Sequence, residues 1–180
     1  MLRNTLDSYG NISKFFHWTI AFFIILMLIL GFSFSLFEKN FVLTAITFHK
    51  SLGFSLFFLM ILRLLWRFFN PSPPLPITEK KWVKNLARCV EFLLYLSIFI
   101  MILDGIALSY THGHPINFWW WFQINLPIQQ NHHIGELTSQ IHLIFAWVII
   151  TLIALHVLGA FRHYFWIKDK VLQRMLPFQK

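Results

Sequence analysis

The sequence predicts an all-α integral membrane protein, a four-helix bundle. Three observations carry that expectation. Hydrophobic residues make up 57% of the chain and charged residues only 12%, with a mean hydropathy of +0.62, outside the usual range of soluble domains. Four apolar stretches are each long enough to cross a hydrocarbon core, which takes roughly 20 residues in a helix. The excess positive charge, +8 in all, flanks those stretches, where it sets topology, so it does not read as a nucleic-acid surface. Four spans use roughly 90 residues, so residues 1–180 read as a single membrane domain.

The elements follow in order. Residues 1–14 are a polar lead with Arg3 and Lys14. Residues 15–37 are charge-free and form the first span; no small-residue cleavage site follows, so it reads as a retained helix rather than a signal. Residues 38–44 are expected to turn. The second span covers 45–68, with His49 and Lys50 at its start and Arg63 and Arg67 at its end. The run from Asn70 to Pro76 holds four prolines, cannot continue a helix and reads as a stiff extended connection. Lys80, Lys81, Lys84 and Arg88 precede the third span, 89–111, which contains Asp104. The loop 112–136 has no Lys or Arg, and its Trp119, Trp120 and Trp121 suit an interfacial belt. The fourth span is 137–161, followed by a basic tail. Of the 15 Lys and Arg, only Lys39 and Lys50 lie on the side opposite the termini, which predicts both termini and the proline loop in the cytoplasm.

The fourth span carries the chemistry. His142 and His156 lie 14 residues apart, about four turns, so both rings leave one face within roughly 40° and stand about 21 Å apart along the axis. A lone intramembrane histidine also serves as a helix–helix hydrogen-bonding group. The pair becomes a site only if other helices offer histidines at the same two depths. They do: His17 matches the cytoplasmic depth of His156, and His49 the outer depth of His142. Two imidazole pairs at two depths predict two stacked metal or haem sites, and bis-imidazole ligation suits electron transfer. The single cysteine, Cys89, excludes a disulfide and covalent haem attachment through Cys-x-x-Cys-His, so a haem here is held non-covalently.

The same 14-residue interval leads from His17 to Gly31 and from His49 to Arg63. Gly31 is placed to let a flat ring approach at the outer depth. Arg63 is placed to grip haem propionates at the inner depth, or else to snorkel to the interface. Gly53 and Gly159 lie one turn from His49 and His156, where close ring approach and ordinary helix packing are both open readings. Asp104 needs a partner inside the span, for which Lys50 is the expected cation, or it sits as a helix-end carboxylate near headgroups. His112, His114, His132 and His133 are loop histidines that a metal between loop ends would recruit; scattered loop histidines seldom do so.

Phe16-His17-Trp18, His49-Lys50-Ser51-Leu52-Gly53 with Arg63 and Arg67, the proline run, and His156-Val-Leu-Gly-Ala-Phe-Arg-His163 with Asp169 and Arg174-Met-Leu-Pro together resemble the bacterial cytochrome b561 family over nearly the whole chain. The resemblance implies a bundle holding two haem b, with His17, His49, His142 and His156 as the matching axial positions. It also implies a bacterial inner-membrane location and electron exchange with ubiquinone near the inner haem. A characterised member oxidises superoxide outside and reduces quinone.

Two candidate catalytic residues follow. His163, two turns beyond His156, suits protonation of a reduced quinone, with an interfacial histidine as the bland alternative. Lys50 stands at the outer entrance, though Lys39 and Lys50 are offset there by Glu38 and Glu136. Arg162, Tyr164, Trp166 and Lys168 are weaker candidates for the quinone pocket. The function classes are a superoxide:ubiquinone oxidoreductase and a plain electron carrier linking quinol to a periplasmic or membrane redox partner. A histidine-lined metal transporter is a distant third.

Overall fold

The computed structural model describes residues 1–76 and 79–177. Four long helices dominate it: α1 (Asn11–Ser33, extended by a 3₁₀ turn Phe34–Leu36), α2 (Lys39–Phe69), α3 (Lys81–Thr111) and α4 (His132–Arg162). All four are long and apolar enough to cross a membrane. Their outward faces carry large apolar side chains such as Phe22, Ile29, Phe58, Leu62 and Trp147, as lipid contact requires. The expected architecture is therefore met, a multi-pass bundle of four helices.

The helices start earlier than the charge pattern predicts. Residues 38–44 are not a turn, because α2 begins at Lys39 directly after Glu38. Lys81, Lys84 and Arg88 belong to α3 rather than to a linker. The α4 helix starts at His132, where the Asn131 side chain accepts a bond from the Ile134 amide (3.1 Å), a side-chain cap of the usual kind. Charged and polar residues close a helix outside the hydrocarbon without breaking it, which is why hydropathy alone places these starts too late.

The 112–136 connection is more ordered than a loop. It contains a hairpin of β1 (Ile116–Phe118) and β2 (Phe122–Ile124), antiparallel with Phe118 opposite Phe122. Trp119 and Trp120 turn it in the left-handed region, at φ 47° and 61°, a conformation costing bulky residues roughly 1–2 kcal/mol each. The hairpin is pinned to α2. Ser51, fully buried, accepts from the Trp119 amide (2.9 Å) and donates to Asn117 O, while Trp119 Nε1 donates to Ser55 (3.2 Å). Trp119 is thus a packing residue, and of the expected tryptophan belt only Trp120 and Trp121 are exposed.

At the other end of the bundle three remote segments meet. Asn4 donates to Asn70 O and Pro71 O, Trp18 Nε1 to Met175 O (2.9 Å), and Arg174 to Pro74 O (2.9 Å). Arg162 pairs with Glu79 (3.0 Å), and Arg67 of α2 forks onto Glu91 of α3. Burial in this junction pushes the Tyr9 hydroxyl above its ordinary value. This terminal end is opposite the hairpin end.

The buried hydrophobic core lies between the two ends. Ile20 and Ile24 of α1, Leu56 and Met60 of α2, Ile98 and Ile102 of α3, and Ile149 of α4 form one aliphatic layer.

Candidate functional site

The aliphatic layer separates two histidine pairs. On α4, Ile149 lies seven residues from His142 and seven from His156, about 10 Å each way. At the hairpin end, the rings of His49 (α2) and His142 (α4) have centroids 6.4 Å apart. At the terminal end, those of His17 (α1) and His156 (α4) are 6.1 Å apart. Two imidazoles facing one metal from opposite sides, each bonded at about 2.0–2.1 Å, have centroids about 6 Å apart. Both pairs have that separation.

The hairpin-end pair opens on a cavity of about 470 Å³, within the common range of cofactor sites. Gly31, Gly53, Gly105 and Ala146 keep its walls low, and Lys50, His112 and His114 stand among its polar lining. A Cβ at Gly105 would lie 3.0 Å from His142 Cε1, closer than most packed side chains sit, so glycine gives this ring its room. A Cβ at Gly31 would reach 3.6 Å from His49 Cε1. Gly53 faces Met27 of α1 at packing distance, so it serves helix contact as well as the cavity. His49 Nδ1 is buried and has no hydrogen-bond partner among the described residues. Such an atom is costly unless the site holds something polar.

Asp104 departs from its expected pairing. Lys50 donates to the His114 carbonyl (3.0 Å), and the Asp104 carboxylate lies 3.2 Å from His142 Nδ1 instead. Depth alone made Lys50 a candidate, but the partner is set by helix rotation, and α3 packs most extensively on α4. An unpaired carboxylate at a helix centre costs about 2.5–3.5 kcal/mol in lipid; the imidazole N–H offsets part of that.

At the terminal end Arg63 Nη2 lies 3.2 Å from His17 Nδ1 and its guanidinium stacks over Tyr95, 5.3 Å from the ring centroid. Arg63 therefore turns inward at the depth of the second pair instead of snorkelling. His156 is exposed and Gly159 has nothing within 4 Å of a would-be Cβ, so this pair sits in an open slot. Beyond it the helix widens into a π turn, His163–Ile167, ended by Lys168 in the left-handed region. That turn buries His163, whose Nδ1 lies 2.7 Å from the Asp169 carboxylate. The other oxygen of Asp169 accepts from the Val171 amide (2.9 Å). Tyr164, Phe165 and Trp166 face outward, and Arg162 is committed to Glu79.

The loop histidines do not assemble. Among the described residues no group of three side chains suited to a metal ion occurs; His132 lies beside Glu136 (3.4 Å), and His112 bonds the Leu108 carbonyl (3.0 Å). Two features escaped sequence reasoning. Gly105 carried no signal beyond its place next to Asp104. The His163–Asp169 contact depends on the π turn, which no spacing rule announces.

The fold and the paired imidazoles define a helical membrane protein of the cytochrome b class. The prokaryotic cytochrome b561 family model matches residues 8–178, and the chain belongs to that family. It is 32% identical to cytochrome b561 homolog 2 of Escherichia coli (strain K12), across 96% of this chain and 93% of that protein. It is 30% identical to a protein named probable superoxide oxidase CybB of Yersinia pestis, across 72% of this chain and 73% of that one. Cytochrome b561 homolog 1 of Escherichia coli (strain K12) is 32% identical across 73% of this chain and 74% of its own length. Members of the family bind b-type haem, transfer electrons in membranes and interact with quinones and redox partners.

Proposed function

We propose that this chain is a two-haem b-type cytochrome that oxidises superoxide at its hairpin end and reduces ubiquinone at its terminal end. The observation that carries the reading is the stacking of two imidazole pairs, each about 6 Å between centroids, across one aliphatic layer. His49 and His142 would hold one haem, His17 and His156 the other. Bound there, haem would supply one-electron storage, the chemistry of electron transfer.

The residues of the chain do the remaining work. Arg63 offers a forked donor set to propionates at the terminal-end site. Gly31, Gly53, Gly105 and Gly159 leave room for flat rings. Lys50, at the cavity lining beside His49, supplies the positive charge an entering anion meets. Each superoxide gives up one electron and leaves as dioxygen; two electrons and two protons convert ubiquinone to ubiquinol. His163, fixed by Asp169, is the group that hands on those protons. The positive-inside distribution supports an orientation with the hairpin end outside and the terminal end in the cytoplasm of a bacterial inner membrane.

The modest positive charge at the hairpin end keeps a second reading in play, an electron carrier serving a periplasmic or membrane redox partner. Stopped-flow mixing of the purified protein with superoxide, with quinone as acceptor, decides between them. Rapid haem reduction and quinol formation support the first. A protein with two quinol-reducible haems that leaves superoxide untouched supports the second.

A further inference from the structure

The two imidazole pairs carry side-chain partners of opposite charge. His142 Nδ1 lies beside a carboxylate, and Arg63 Nη2 lies 3.2 Å from His17 Nδ1. A guanidinium only donates. Beside a His17 ring that holds iron through Nε2 and keeps its proton on Nδ1, Arg63 therefore acts as a nearby positive charge and not as a hydrogen-bond partner. A carboxylate only accepts, so His142 Nδ1 carries the proton and Nε2 is left as a bare donor atom pointing away from Asp104. An outer carboxylate on a metal-binding imidazole fixes its tautomer, orients the ring and makes it a stronger electron donor. Asp104 is well placed for that and for little else. Its side chain is only 7% exposed, it lies seven residues inside the end of α3, and the adjacent Gly105 is where the His142 ring rests. Lys50 does not compensate it, being bonded to the His114 carbonyl.

We propose that Asp104 is a positioning residue for the hairpin-end haem: it aims His142 Nε2 at the iron and, opposed by Arg63 at the other pair, makes electron flow from the hairpin end to the terminal end downhill. The inference rests on the proposed ligation by the two pairs. A negative partner on an axial imidazole favours the oxidised metal and lowers its reduction potential; a positive group beside the second pair favours the reduced metal there. The two sites share ligand chemistry, and these two oppositely charged side chains are the ones that touch or face a ligand ring directly.

The test is a redox titration of the whole protein and of Asp104→Asn and Asp104→Glu, with haem content measured on each. Two haems per chain in the unmodified protein support the ligation; fewer would remove it, and the inference with it. With two haems present, the Asn variant should shift one midpoint upward by at least tenfold in the reduction equilibrium, about 59 mV for a one-electron couple. The other midpoint should stay in place, and the Glu variant should restore the lower value. An unmoved midpoint, or two that move together, overturns the proposal. If the Asn variant fails to hold haem, His49→Ala decides: the single haem it retains should titrate at the higher of the two wild-type midpoints. Retention of the lower one overturns the proposal.

Discussion

The two histidine pairs are near-equal in ring separation and unlike in surroundings. The hairpin-end pair is enclosed by glycines, aliphatic side chains and a carboxylate in a cavity of about 470 Å³. The terminal-end pair is open along α4, flanked by a guanidinium and followed by a buried histidine–carboxylate contact. A repeated interval on one helix thus generates two similar histidine positions, and the neighbouring helices give each different surroundings. On the proposed function the pair beside the cavity receives an electron from a small donor. On the same proposal the more open pair passes electrons to a larger acceptor that also needs protons.

Breaking one pair at a time should have the largest effect. His49→Ala and His142→Ala should each abolish the hairpin-end haem, and His17→Ala and His156→Ala the other, leaving one haem per chain by pyridine haemochrome. The low-spin spectra of the four variants should then fall into two classes. Grouping of His17 with His142 would contradict the depth argument outright.

The open pair is next. His163→Ala should keep both haems and normal reduction by superoxide, while quinone reduction slows by about 10²–10⁴-fold, the usual contribution of a general acid or base. Measuring the two half-reactions separately on one preparation gives the answer; equal slowing of both would place His163 in the structure of the bundle rather than in proton transfer.

Arg63→Ala should weaken retention of the terminal-end haem by about 1.5–3 kcal/mol, the scale of hydrogen bonds to charged groups, and leave the hairpin-end haem in place. Haem loss to an apo-acceptor protein reports this directly. Loss from both sites at one rate would show that Arg63 acts on the whole fold.

The smallest effect is the sharpest. No atom lies within 4 Å of a Cβ built at Gly159, so alanine there should stabilise the haem-free bundle by about 0.5–1 kcal/mol. If a haem edge lies over that glycine, the same change should instead loosen the terminal-end haem. Thermal unfolding with and without haem reads the sign.

Much of this was legible from the residues. Four apolar stretches and the histidine depths needed only the helical rise and the thickness of a bilayer. What escaped was whatever depends on rotation and on neighbours. Asp104 and Lys50 share a depth, yet α3 turns Asp104 toward His142 and the hairpin draws Lys50 to His114. The hairpin itself has strands of three residues turning through two tryptophans in the left-handed region, against every preference of those side chains. Its stability comes from Ser51 and Ser55 on α2, contacts between distant parts of the chain that no local pattern encodes. The helix starts were missed for a plainer reason, since charged residues in a first turn look like loop to a hydropathy window.

The aliphatic layer of Ile20, Leu56, Met60, Ile98 and Ile149 has a consequence for energy coupling. Its buried side chains are aliphatic or thioether and none is titratable, so they offer protons no relay. Electrons cross such a barrier by tunnelling and protons do not follow. Every turnover of the proposed reaction therefore moves bare charge over part of the membrane, and its driving force depends on the voltage across that membrane. A full crossing is worth about 2.3 kcal/mol per elementary charge per 100 mV. On the proposed orientation, electrons drawn inward meet protons taken from the same inner side at His163, so the protein works against an inside-negative potential and adds to it.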